Sequence, residues 1–179
     1  YIGLNNPITI SVPGFSPDVV KASMTGGTLI PKGGNKYEVK VTQRGKATIN
    51  VSVVQDGKSK NMGGFEFKVL PIPKPEARWG TLEAGAYSSG SVKAQGMVNA
   101  SLGSFVYEGV RYTVTEYSFV KVPRRGEAQF AKNTGAIASP QIKSYVNSIK
   151  SGDKLIFSDI VATGPDGKRK LSPLVIDVQ

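Results

Sequence analysis

The chain has 179 residues, of which 39% are hydrophobic and 20% charged, and its formal net charge is +10. It contains neither cysteine nor histidine, which excludes the usual zinc, haem and iron–sulfur ligand sets and the Ser–His and Cys–His nucleophile pairs. Lys and Arg outnumber Asp and Glu by 10 to 4 over residues 1–74 and by 13 to 9 over residues 75–179. This even spread lacks the basic stripe typical of nucleic-acid binding, so we expect no nucleic acid, metal or cofactor.

Residues 1–70 alternate between apolar and polar side chains in short segments separated by turn signals. The alternation is clear over 8–12, 47–53 and 65–69, as in half-buried strands. Between the last two segments, Asp56-Gly57 predicts a tight hairpin turn. The pattern favours a small antiparallel sandwich of immunoglobulin type, without the disulfide and core tryptophan of true immunoglobulin domains.

A proline-rich stretch follows this first module. Pro71, Pro73 and Pro75 occupy alternate positions, and each fixes φ and removes a backbone donor. Such a segment favours stiff, extended polyproline II structure. We predict a rigid linker over 71–79, with these prolines as hinge residues and Trp79 closing the hinge against the second module.

Residues 80–179 predict a β-rich α+β domain with one clear helix at about 140–150. Ser139 precedes a proline and suits a helix N-cap. Apolar residues then recur at i, i+3, i+4 and i+7 from Ile142, which indicates one buried helix face, and Gly152 is a natural stop. A one-residue shift in the preceding strand alternation predicts a β-bulge near Thr115-Glu116.

The densest basic clusters of the chain lie at two predicted turns of the second module, at 121–125 and 168–170, and the turn at 120–126 is the one that we predict to contact partners. Lys121, Arg124 and Arg125 lie in it, and cationic loops at the end of a module often steer and contact partners. We predict these three residues as partner-binding, although a solvated turn would explain them as well. Asp159, inside an otherwise apolar strand, is either an outward, satisfied carboxylate or a functional group.

Five segments of the chain together carry a resemblance to a known family: YIGLNNPI at 1–8, VPG at 12–14, IPKP at 72–75, GD at 152–153 and GPDGKR at 164–169. In this order they resemble the C-terminal periplasmic region of the GldM/PorM family, which serves type IX secretion and gliding motility in Bacteroidetes. The resemblance covers nearly the whole chain, and no single segment in it is a chemical signature.

The resemblance implies a dimeric, elongated periplasmic rod anchored in the inner membrane by an N-terminal helix that is not in this chain. The chain opens at Tyr1 without a methionine, in keeping with that expectation. The implied partners are the inner-membrane motor protein GldL/PorL and, at the distal end, GldK/PorK and GldN/PorN beneath the outer membrane. The function that the resemblance implies is structural transmission of force. The resemblance assigns no contact residues in this chain.

Two other function classes compete with this interpretation. A surface adhesin or carbohydrate-binding module would need exposed aromatic side chains, for which Trp79, Tyr107, Tyr112 and Tyr117 are the candidates. A hydrolase would need paired carboxylates, and no pair of acids in the sequence has such a motif. We therefore expect no enzyme activity.

Overall fold

The computed structural model describes residues 1–105, 107 and 109–179 of the chain. Most described residues lie in strands, and one helix exceeds two turns, which confirms the prediction of a mainly β protein with one clear helix. The chain divides into two compact units, Tyr1–Ile72 and Pro73–Gln179, and buried apolar residues occur in both. No helix among the described residues is long and apolar enough to cross a membrane.

The first unit is built from two three-stranded antiparallel sheets. Its strands are β1 (Asn6–Thr9), β2 (Val20–Thr25), β3 (Thr28–Gly33), β4 (Lys36–Lys40), β5 (Gly45–Gln55) and β6 (Lys58–Val69). One sheet has the order β1–β4–β3 and the other β2–β5–β6. Alternate residues of β5 are buried and belong to one core with Val39 of β4 and with Val41, which follows that strand. The alternation over 47–53 therefore marks the core.

Turn and breaker residues explain where the strands of the first unit end. Asp56 and Gly57 have φ values of +50° and +71° and join β5 to β6 as the predicted hairpin. Strand β3 contains Pro31, which has no N–H to donate to a ladder. The structure accommodates Pro31 at the edge of a sheet, next to a shift in register. Strand β1 is shorter than the 8–12 alternation predicts, since it ends at Thr9.

The second unit combines a main sheet with a two-stranded sheet and two helices. Its elements are β7 (Glu76–Trp79), β8 (Gly85–Tyr87), α1 (Ser89–Lys93), β9 (Val98–Ser101), β10 (Thr113–Val122), β11 (Gln129–Thr134), α2 (Pro140–Asn147), β12 (Lys154–Gly164), β13 (Gly167–Lys170) and β14 (Leu174–Val178). The main sheet has the order β11–β10–β12–β14–β8, with β13 paired to β12, and β7 pairs with β9. Phe119 and Phe157 meet edge to face in its core, with ring centroids 5.1 Å apart.

Helix α2 is the helix that the sequence predicts, although it is shorter. The Ser139 hydroxyl accepts the N–H of Ile142 at 3.4 Å, which confirms the N-cap. The helix ends at Asn147 rather than near 150, because the Ser148 N–H bonds both Ser144 and Tyr145 carbonyls and tightens the last turn. Strand β10 carries register shifts on both sides of Glu116, so the predicted bulge is also confirmed.

The proline-rich connection is shorter than the predicted linker. Strand β6 ends at Val69 and β7 begins at Glu76, so residues 70–75 join the two strands. The last four residues of the predicted 71–79 linker form β7 and pair with β9. Its mechanical role remains a prediction.

Candidate functional site

The single tryptophan of the chain lies in the core of the second unit. Trp79 is 0% exposed, and its Nε1–H donates to the Val92 carbonyl oxygen at 2.9 Å. Its ring stacks on Phe157 with centroids 5.0 Å apart. A buried indole with its donor satisfied is a packing arrangement. It anchors β7 firmly in the second unit and leaves no ring face for a sugar or a partner.

The three prolines of the connection differ in burial. Pro71 is half-buried and Pro73 exposed, whereas Pro75 is among the fully buried side chains. Pro75 directly precedes β7 and therefore contributes to packing as well as to backbone restriction. Pro71 and Pro73 act on the connection mainly by fixing their own φ and restricting the preceding residue.

Lys121 is buried, whereas the sequence predicts a solvated contact residue. Its side chain is 8% exposed and its Nζ lies 3.9 Å from Asp153 Oδ2. The same nitrogen donates to Ser148 Oγ at 2.7 Å. A buried ammonium needs such partners, because leaving water without them is costly. We therefore remove Lys121 from the predicted contact residues and assign it to the packing of β10 against the segment after α2.

Asp153 is the centre of this buried cluster. Its Oδ1 accepts the backbone N–H of Arg124 at 3.0 Å, and its Oδ2 accepts the N–H of Lys150 at 3.0 Å. One carboxylate thus joins the loop after β10 to the turn after α2. In the sequence, Asp153 directly follows Gly152, the predicted end of the helix, and this position indicates only a local role.

Arg124 and Arg125 have the exposure expected of contact residues. Neither forms an ion pair with another residue that the structure describes. The stem of Arg124 lies over Gly152, where a Cβ would come within 2.8 Å of its Cδ. Asp153 and Gly152 therefore fix the position of the loop, and the two guanidinium groups stay accessible on a held backbone.

Asp159 has a structural explanation. It has a φ of +49° and lies where the β10–β12 register shifts, a conformation that aspartate tolerates better than most residues. Its Oδ1 accepts Lys170 Nζ at 2.9 Å, and that hydrogen bond lowers the pKa of the exposed carboxyl group. Among the residues described, no group of three or more acidic side chains could hold a metal ion.

A cluster of Tyr112, Asp166 and Arg169 holds the turn between β12 and β13. Both the Tyr112 hydroxyl and the Arg169 guanidinium donate to Asp166, and Arg169 lies 5.7 Å from the centroid of the Tyr112 ring. Burial, followed by the bond to Asp166, raises the pKa of Tyr112 to about 12. Gly164 leaves room for the ring, because a Cβ there would collide with it.

The aromatic platform that a sugar-binding module needs is absent at three of its four candidate positions. Trp79, Tyr112 and Tyr117 are 0%, 7% and 2% exposed. Tyr107 is half-buried. The three buried side chains belong to the core of the second unit, so the structure gives the adhesin alternative no support from them.

The first unit has an apolar surface that the sequence does not indicate. Phe65 and Phe67 of β6 are 55% and 43% exposed. Together with Ile8 and Ile10 they line a cleft of about 370 Å³ between β1 and β6. We call this surface the open flank: Phe65 and Phe67 are its exposed residues, and the half-buried Ile8 and buried Ile10 line its cleft. Alternation predicts half-buried phenylalanines here, but it cannot show that the opposite sheet leaves them uncovered.

Comparison with known families assigns both units. Residues 1–70 match the family described as GldM third domain, and residues 71–179 match the GldM C-terminal domain. A search of the curated proteins found no match. The two family matches cover the whole chain and meet within the proline-rich connection. The chain therefore belongs to the GldM family, a family of structural components of gliding motility and type IX secretion rather than a known family of enzymes.

Proposed function

We propose that this chain transmits force within the periplasmic part of the type IX secretion and gliding machinery. It would link the proton-driven motor in the inner membrane to complexes at the outer membrane, without catalysis or a cofactor. The observation that carries the proposal is the connection at 70–75, where three of six residues are prolines. This segment is the covalent path between the units, so its stiffness bears on how much motion passes along the chain.

Packed structure fixes both ends of the connection. Strand β6 pairs with β5 from Lys58 to Val69, and β7 pairs with β9 along its whole length. Trp79 then anchors β7 in the second core. Tension on β6 would therefore reach β7 through restricted proline backbone rather than through the slack of a flexible tether.

The partners proposed follow from the family. The full-length protein would be a periplasmic homodimer, anchored in the inner membrane and contacting GldL/PorL through regions outside this chain. At the distal end it would contact GldK/PorK and GldN/PorN. Arg124 and Arg125 are the residues that we propose for this distal contact, because they combine exposure with a fixed backbone position.

Replacing Pro71 and Pro73 with glycine tests the role of the connection. Pro71→Gly/Pro73→Gly leaves the buried Pro75 in place, so both units should keep their thermal stability while secretion and gliding fall severalfold. Glycine restores the backbone freedom that proline removes. The measurement is export of a type IX substrate by cells carrying the variant.

A matched control places the same two substitutions elsewhere. Pro13 and Pro173 are exposed and lie outside the connection, so Pro13→Gly/Pro173→Gly should leave export unchanged. Normal export by the Pro71→Gly/Pro73→Gly variant would contradict the proposal.

A further inference from the structure

Strand β6 presents an unpaired edge beside the open flank. It pairs with β5 on one side and, within the described part of the chain, with no strand on the other. Phe65 and Phe67 lie opposite the buried Ile49 and Ala47 of β5. The two phenylalanines are nevertheless about half exposed. A long strand edge with free backbone groups and uncovered apolar side chains readily takes another strand.

Local features confine the usable edge to 65–69. Met62 has no partner in the β5 register, which shifts between Val51 and Ser52, and Gly63 beside it has a φ of +118°. This bulge interrupts the regular ladder of β6 on one side, although β6 continues to pair with β5 as far as Lys58. On the other side, the Leu70 carbonyl accepts the N–H of Ile2.

The sequence of this edge, Phe-Glu-Phe-Lys-Val, is complementary to itself in one antiparallel register. With Phe67 opposite Phe67 of a second copy, Glu66 lies opposite Lys68 and Phe65 opposite Val69. Both charge pairs are then of opposite sign, and the apolar residues share one face. Moving the register by two residues would place Glu66 against Glu66, and like charges directly opposite are destabilising.

We propose that the open flank is a self-association surface, at which β6 of two copies pairs antiparallel about Phe67. The pairing would continue one sheet through both copies and cover Phe65 and Phe67 with their counterparts. Charge complementarity favours a second copy over an unrelated strand. Glu66 already lies 2.9 Å from Lys46 Nζ of β5, and Lys68 of the second copy would bring a further cation opposite it, on the other side of the strand, about the two-fold axis. The inference deepens the homodimer of the proposed function by naming its surface and register in the first unit.

The absence of native cysteine permits a test of the register by disulfide formation in the full chain. Phe67→Cys would place two sulfur-bearing residues directly opposite, at a Cα separation of about 5 Å, which a disulfide spans. Phe65→Cys is the matched control, since its counterpart lies four residues along the strand, roughly 13 Å away. Both positions are exposed, so both variants should fold, as circular dichroism would verify.

Mild oxidation should convert most of Phe67→Cys to a covalent dimer on non-reducing gels, and little of Phe65→Cys. Equal cross-linking of the two variants would overturn the register. A monomeric natural chain in sedimentation equilibrium, or cross-linking of Phe67→Cys in cells only to a different protein, would overturn self-association. Force transmission is tested separately by the proline variants, so either failure can be identified.

Discussion

At the scale of single residues, Tyr117 on β10 and Tyr112 just before that strand are both buried but differ in hydrogen bonding. The Tyr112 hydroxyl donates to Asp166. The Tyr117 hydroxyl is buried and has no hydrogen-bond partner among the described residues. A buried polar group without a hydrogen-bond partner costs free energy. Replacing its side chain by an apolar one of the same shape removes that cost. The two residues therefore allow a paired test of the second core.

Tyr112→Phe should lower the free energy of unfolding of the second unit by about 1–2 kcal/mol, because it removes a bond to a charged group. Tyr117→Phe should leave stability unchanged or raise it by up to about 1 kcal/mol, because it removes an unsatisfied hydroxyl. Denaturation followed by Trp79 fluorescence reports on this unit, since Trp79 is the only tryptophan and lies in its core. Equal losses in both variants would contradict this assignment.

High pH extends the same comparison. Burial raises the pKa of both tyrosines, that of Tyr112 to about 12, so the folded unit retains these protons when the unfolded chain has begun to lose them. Stability should therefore be constant below about pH 10, the ordinary tyrosine pKa, and fall as the pH rises towards 12. Each phenylalanine variant should show a shallower fall than the natural chain.

The residue scale is also where sequence and structure diverge most. Lys121 is buried because Ser148 and Asp153 return beside it from a later part of the chain. Phe65 is exposed because the facing sheet does not cover β6. Neither fact has a local signal, since burial of a given strand position depends on what packs against that face.

At the scale of elements, the loop between β10 and β11 is the best candidate for a partner contact. Arg124→Glu/Arg125→Glu reverses both exposed charges and should weaken capture of GldK/PorK and GldN/PorN several-fold, with a loss that diminishes at high salt. Thermal stability should change little, because Asp153 bonds the backbone of Arg124 and glutamate keeps the Cβ and Cγ atoms that lie over Gly152.

Lys168→Glu is a suitable control for that loop, because Lys168 is exposed and basic but lies on β13. Pull-down from cell extracts would compare the two variants with the natural chain. Capture at the natural level by the double variant would remove Arg124 and Arg125 from the contact surface.

Elements with strong local signals could be predicted from the sequence. The Asp56-Gly57 hairpin, the Ser139 cap and the bulge near Glu116 each depend on residues within a few positions of one another. Short strands such as β8 and β9 could not, because three or four residues carry too little alternation. Strand β7 could not be predicted either, because the alternate prolines directly before it favour an extended linker.

At the scale of the whole molecule, two units that match successive GldM domains are joined by a short proline-rich segment. The features that mark the family are distributed along both units rather than concentrated in a pocket or a catalytic cluster. Force transmission makes a more specific demand, that the units do not move freely about residues 70–75.

The distribution of distances between spin labels, one in each unit, tests that demand most directly. Lys58→Cys and Lys168→Cys provide exposed label sites in the first and second units, and excess unlabelled chain suppresses signals between copies. Force transmission through the connection predicts one narrow distribution for the natural chain and a broad one after Pro71→Gly/Pro73→Gly. A natural chain whose distribution is as broad as that of the glycine variant would contradict it.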